Sequence, residues 1–350
     1  MKRTIVISIL ATFAVALLAS RCHTTTPRPP EIIWEANTPE IPETLETFTA
    51  TNTSPMSRDD GERLARRVAD YSRISLQPAE APTARRGAVF YRNADDPSTA
   101  LTMNLERGDF LFNKGLRMYQ GENDTAALPA SQEEAARLAA EHLRALDLQM
   151  PAGESVLAHF GGLNMAIHRR DGTTSTYRKL ITIRYDRRLG GLPVIGDSRA
   201  VLQLGSRGEL AALVWDWHPV SGRTARGSEL LRAPELRPAI EKRVADVSGD
   251  AAKVVVDRQE LVLYDDGMVI EPAIRVMAQR TYRVRIGKDR EPREIVVPFD
   301  TIVPVLASPR GTYPDMLRPQ ELPREASSRG KAERSADDDE STKRERPRRY

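Results

Sequence analysis

Residues 185–220 read YDRRLGGLPVIGDSRAVLQLGSRGELAALVWDWHPV, and the reading of this stretch decides the fold. Gly190 and Gly191 break a first strand, and Pro193 follows them. Glycine tolerates positive φ, while proline fixes its own φ and gives up a donor. Val201–Leu204 then returns against Leu210–Trp217 across Gly205-Ser206-Arg207-Gly208, a loop of the hairpin type. Successive strand residues point to opposite faces. Leu213, Trp215 and Trp217 therefore share one face, and Leu210, Ala212 and Val214 the other. The signal for strands is strong and the signal for catalysis is poor.

Helices and further strand sets lie on either side. Ser57-x-x-Asp60 and Ser131-x-x-Glu134 are helix starts of the capping-box type. The first opens a stripe of Leu64, Val68 and Tyr71. The second opens one of Ala135, Leu138, Ala139, His142 and Leu146. A third helix is expected from about Pro234 to Val247, with Leu236, Ile240, Val244 and Val247 at helical spacing. Each is followed by short strands. The turns holding Gly108, Gly208 and Gly267 all place a glycine just before the returning strand. The expected fold class is α+β, built of helix-plus-antiparallel-sheet units of cystatin-like form, with two or three repeated. The expected units span 57–125, 126–222 and 223–309. The similar turns are either true repeats or the ordinary likeness of hairpins.

Tyr185, Gly191-Leu192-Pro193-Val194, Gly196, the strand Val201–Leu204, Gly208 and the apolar strand after it resemble the propeptide modules of fungalysin- and thermolysin-type proteases. Those modules belong with the broader PepSY group. The resemblance covers about residues 131–219 and rests on turns and strands. It implies a PepSY-like unit, and a protease or another envelope protein as partner, because such propeptides chaperone and inhibit their enzymes. The chain departs from the pattern in one large respect. No protease follows, and no His-Glu-x-x-His occurs in it.

The ends are different in kind. Lys2 and Arg3 precede an apolar run from Ile5 to Leu18, the charge and length of a signal peptide over residues 1–21. Cys22, the chain's one cysteine, lies just beyond and is the expected site of a lipid anchor. Arg21 stands where the acylation motif wants a small residue, which leaves ordinary cleavage or an uncleaved anchor as alternatives. The expected location is exported, in the periplasm or on the outer surface. Without a second cysteine no intramolecular disulfide forms, so stability rests on burial. Residues 22–56 are rich in Thr, Pro and Glu and read as a disordered tether, with Ile32, Ile33 and Trp34 an apolar island placed to dock on the body. Residues 310–350 read as a disordered tail of mixed charge.

The chain holds 52 basic and 49 acidic residues, and Lys2, Arg3 and Arg21 account for the excess. Beyond Cys22 the charges balance, so no nucleic-acid partner is expected. No catalytic residue, cofactor or metal ligand is assigned. His142 lies on the apolar side of a helix. His159 and His168 flank Gly161-Gly162 and are placed to meet across a hairpin, but two nitrogens without a third ligand make a poor zinc site. His218 ends a strand. Asp265-Asp266 occupies a turn, where Asp is favoured for local hydrogen bonds. The stripe of Leu213, Trp215 and Trp217 either packs under the Ser131 helix or forms a partner-binding face, and it is carried as the candidate face. A free strand edge serves the same end. The expectation is a non-catalytic binding protein of the bacterial envelope. The alternatives are a structural or scaffolding lipoprotein, and a hydrolase that joins His159 or His168 to carboxylates in a deep pocket.

Overall fold

Three helices form where caps and stripes place them, and the computed structural model describes residues 30–50, 56–80, 87–115, 127–284 and 292–317. Helix α1 (Arg58–Ser72) starts with both halves of a capping box, the Ser57 hydroxyl accepting from Asp60 N–H and the Asp60 carboxyl from Ser57 N–H. Helix α2 (Gln132–Ala145) starts on Ser131, which accepts from Glu134 N–H, while Glu134 reaches back to Ala130 N–H. Helix α3 (Ala233–Ser248) buries Leu236, Ile240 and Val244.

The strands do not divide into small sheets. In chain order they are β1 (Glu31–Trp34), β2 (Thr44–Ala50), β3 (Leu76–Ala79), β4 (Ala88–Asn93), β5 (Thr99–Asn104) and β6 (Asp109–Lys114). Then come β7 (Ser155–His168), β8 (Thr174–Leu189), β9 (Leu192–Gly196), β10 (Arg199–Leu204), β11 (Leu210–Asp216) and β12 (Val220–Arg226). The last are β13 (Lys253–Asp265), β14 (Val269–Val284) and β15 (Arg293–Pro304). All join in one fifteen-stranded mixed sheet, whose main path runs β12-β2-β14-β13-β9-β8-β10-β11-β6-β5-β4-β3. Strands β1, β15 and β7 attach to β13, β14 and β8. Two pairings are parallel, β1 with β13 and β9 with β13; the others are antiparallel.

This overturns the expected α+β array of helix-plus-small-sheet units. The fold is β-rich, and its joint lies in residues 185–220. Leu189 pairs with Leu192 across the Gly190-Gly191 turn, and Val194–Gly196 then lies parallel to Leu263–Asp265. That parallel pairing welds the two halves, and a contact between distant segments leaves no local trace in sequence. Strand β12 crosses the boundary expected at residue 222 and pairs with β2. The tether is corrected as well, because β1 and β2 lie within it. Ile32 and Trp34 pack on the core under α3, and the Arg237 guanidinium sits 3.6 Å over the Trp34 ring. Of the expected tail, residues 310–317 are packed on the body; the rest lies outside the described residues.

Two large apolar cores result, beside smaller ones. One joins α1 and α2 to β4–β6, β8, β10 and β11, the other joins α3 to β13–β15. Gly208 shows how tightly the first is made. Its φ is +72°, and an added Cβ would lie 2.7 Å from Leu138 Cδ1 on α2. Its carbonyl accepts from His142 Nε2–H at 2.8 Å, so Nδ1 accepts from the Tyr71 hydroxyl at 2.6 Å. Gly208→Ala is expected to cost about 1–2 kcal/mol from the left-handed backbone alone. Equilibrium urea unfolding checks this, and an unchanged midpoint contradicts it.

Candidate functional site

The structure covers the expected partner face. Leu213, Trp215 and Trp217 are 0%, 6% and 5% exposed, within the core shared by α1 and α2. Leu213 and Trp215 sit beside Phe112 and Phe110 of β6, and an apolar stripe of that width is covered because its burial drives the packing. The alternation was right and the face was closed. Cys22 lies outside the described residues.

The histidines separate. His142 is buried, and burial pulls its imidazole below the ordinary range, against the hydrogen bond to Gly208. His159 and His168 do not meet across a hairpin, because both stand on the unbroken strand β7. Gly161-Gly162 is no turn there. A Cβ on Gly162 would lie 2.1 Å from Leu180 O, so the glycine lets β7 press against β8.

His218, expected at a strand end, and Asp265, expected on a turn, are both buried by the joint between the halves, at 3% and 1% exposure. Asp265 Oδ1 accepts from Gly267 N–H, as a turn Asp does, and Oδ2 accepts from the Ser198 hydroxyl. His218 Nε2 lies 3.7 Å from Asp265 Oδ2. Arg107, on the β5–β6 turn, bridges Asp109 and Asp197. Arg187, also buried, donates to Glu154 and, at 2.8 Å, to His218 O, with its guanidinium 5.3 Å from the Trp217 ring centre. Burial drives the His218–Asp265 pair toward its neutral forms, lowering the imidazole and raising the carboxyl. Burial also raises Asp109, and it pushes Asp216 up to about 7 against the pull of Arg199.

This cluster gathers an imidazole with carboxyls, but its wiring is not that of a nucleophile and its base. The Ser198 hydroxyl donates to Asp265, and neither imidazole nitrogen of His218 has a hydrogen-bond partner among the described residues. What it does is tie the β5–β6 turn, the β9–β10 link and the end of β13 together. Above it lies a recess of about 300 Å³ bounded by Met56, Asp60, Gly108, Trp215, Trp217, His218 and Pro219. A wider apolar groove of about 680 Å³ runs between residues 38–44 and the start of α3. Among the described residues, no group of three or more His, Cys, Asp or Glu is placed to hold a metal ion. No described helix is long and apolar enough to cross a membrane.

The open feature is an edge. Strand β7 pairs with β8 and with no other strand among the described residues, over Ser155–His168. Beside β8, β10 extends over Ile181–Asp186, so residues 163–168 and 174–180 run out as a two-stranded ribbon. Asn164, Ala166 and His168 share a face with Arg178, Thr176 and Thr174, all exposed. Met165 and Ile167 share the other with Tyr177 and Ser175, all half-buried.

No protein-family model and no curated protein matches the chain. Among solved structures, an uncharacterized protein from Eubacterium rectale is similar at 14% identity, with 78% of this chain and 87% of that one covered and a TM-score of 0.36. A likeness that weak carries no argument about fold or function.

Proposed function

We propose that the chain is an exported, membrane-anchored binding protein of the bacterial envelope, which works without catalysis and holds an extended segment of another protein along the free edge of β7. The observation that carries the reading is that a fourteen-residue strand has, among the described residues, a neighbouring strand on one side only. Free edges recruit extended chains through backbone hydrogen bonds, and proteins ordinarily keep them short or blunted. Bulges at Leu157/His159 and Leu163/Asn164 blunt part of this edge, but Asn164–His168 keeps an unbroken register. The charged leader, the apolar run after it and Cys22 support export and anchoring. The propeptide-like pattern around Gly191–Val194 supports a protease or another envelope protein as the partner.

A photo-crosslinking amino acid at Ala166, compared with one at exposed Glu241 on α3, tests the edge in the cells that make the protein. The expected result is an adduct to a second protein from position 166 only. A self-adduct supports the scaffolding lipoprotein instead. The same adducts from both positions, or none, remove the edge from the account. The anchor is tested separately. Cys22→Ala is expected to move the chain from the membrane fraction to the soluble one, and an unmoved variant rules out the lipid.

A further inference from the structure

We infer that the segment held by β7 is acidic, an inference that rests on the edge reading above. Both faces of the ribbon carry basic groups. A strand added beside β7 places alternate side chains next to Asn164, Ala166 and His168 on one face, and next to Met165 and Ile167 on the other. The second face sets Met165 and Ile167 beside Tyr177 and carries cations as well, since Arg169 donates to the Ser175 and Tyr177 hydroxyls and Lys179 Nζ lies 5.3 Å from the Tyr177 ring centre.

The ribbon as a whole is basic. Strand β7 carries no acidic residue. Arg170 and Arg178 are exposed and have no ion pair among the described residues. Asp171, the acid of the ribbon, already accepts from Thr173 N–H and its hydroxyl. Arg178 starts from β8, one strand in from the edge, yet its Cδ lies 3.6 Å from where a Gly162 Cβ would stand. The missing Cβ leaves that space, 2.1 Å from Leu180 O on β8, to the arginine stem, and Arg178 stands exposed opposite Asn164 of β7. Exposed guanidinium groups on the ribbon match carboxylates on an added segment.

Two other occupants fit less well. A second copy of this chain pairing edge to edge would set Arg170 and Arg178 against their own kind, with no acid on either β7 to answer them. An anionic lipid surface would satisfy the guanidinium groups and leave the backbone groups of the edge unpaired.

Fluorescence anisotropy of the full chain with short labelled peptides of alternating Glu–Val, Lys–Val or Ser–Val tests the inference. The Glu–Val peptide is expected to bind about tenfold or more tightly than the others, to weaken as salt rises, and to lose about tenfold with Arg170→Glu and Arg178→Glu together. Circular dichroism checks that the double variant is folded. Equal binding of the Ser–Val peptide, or no loss in the double variant, overturns the acidic partner while adducts from Ala166 keep the edge reading alive. No binding of the Glu–Val peptide also overturns it, and if adducts from Ala166 are missing too, the edge reading falls with it. Binding of phosphatidylglycerol vesicles in place of the peptide gives the surface to lipid.

Discussion

Glu271→Ala is expected to lower the unfolding free energy by about 3 kcal/mol and to release residues 310–317 from the body. Glu271 is 0% exposed, and its two oxygens accept from Arg310 N–H and Nε–H, Gly311 N–H and the Tyr313 hydroxyl. Burial, with Glu271 beside it, pushes the Tyr313 phenol above its ordinary range, so it stays a donor. Alanine leaves those donors unanswered. Each buried donor without a partner costs about 1–3 kcal/mol, while the half-exposed Arg310 side chain finds water. The segment has other holds, namely Tyr313 stacked 5.3 Å from Tyr264, Leu317 N–H on Asp300 O, and Leu317 in a small core with Ile195 and Ile302. The loss is therefore partial. Urea unfolding and tryptic cleavage after Arg310 read it out together. An unchanged midpoint with unchanged cleavage shows that Glu271 does not hold the segment.

Asp216→Asn is expected to remove a pH-dependent penalty. Asp216 closes β11 beside Arg199, at 3.4 Å from its Nε, yet burial pushes its carboxyl from an ordinary 3.8 up to about 7. Asp109 and Asp197 push the same way. The sign follows from proton counting. Between pH 4 and 7 the folded chain keeps a proton that the unfolded chain has released, so stability falls as pH rises through that window and levels off above about 7. The gap, with the pull of Arg199 already inside it, is worth at most about 4 kcal/mol, and an effect of about 2–4 kcal/mol is expected. His218 acts oppositely, since burial holds it neutral and acid favours the unfolded chain. The variant is therefore compared with the parent. Relative to the parent, Asp216→Asn should gain about 2–4 kcal/mol between pH 4 and pH 8 in urea unfolding. Parallel pH profiles would mean that Asp216 titrates normally.

The parts legible in sequence were those with local causes. Ser57 and Ser131 cap the helices they were read to cap, because a hydroxyl three residues before a free N–H is a local event. Gly108, Gly208 and Gly267 take positive φ at the hairpins that need it. Leu213, Trp215 and Trp217 do share a face, but whether that face is covered depends on where α1 and α2 come to rest. The joint was illegible for the same reason. Nothing near His218 announces Asp265, and nothing near Asp265 distinguishes a buried turn from an exposed one. Strand β2 was hidden by the Pro- and Thr-rich composition around it. Its order comes from β12 and β14, which the chain reaches far downstream.

Amide hydrogen exchange along Asn164–His168 tests the central claim most directly. In the free chain, amides facing β8 should exchange slowly and those facing outward rapidly, alternating residue by residue. Adding the bound segment should slow the outward set and leave the inward set as it was. Binding that slows amides elsewhere and leaves the outward amides of β7 as fast as before would contradict a strand added at this edge.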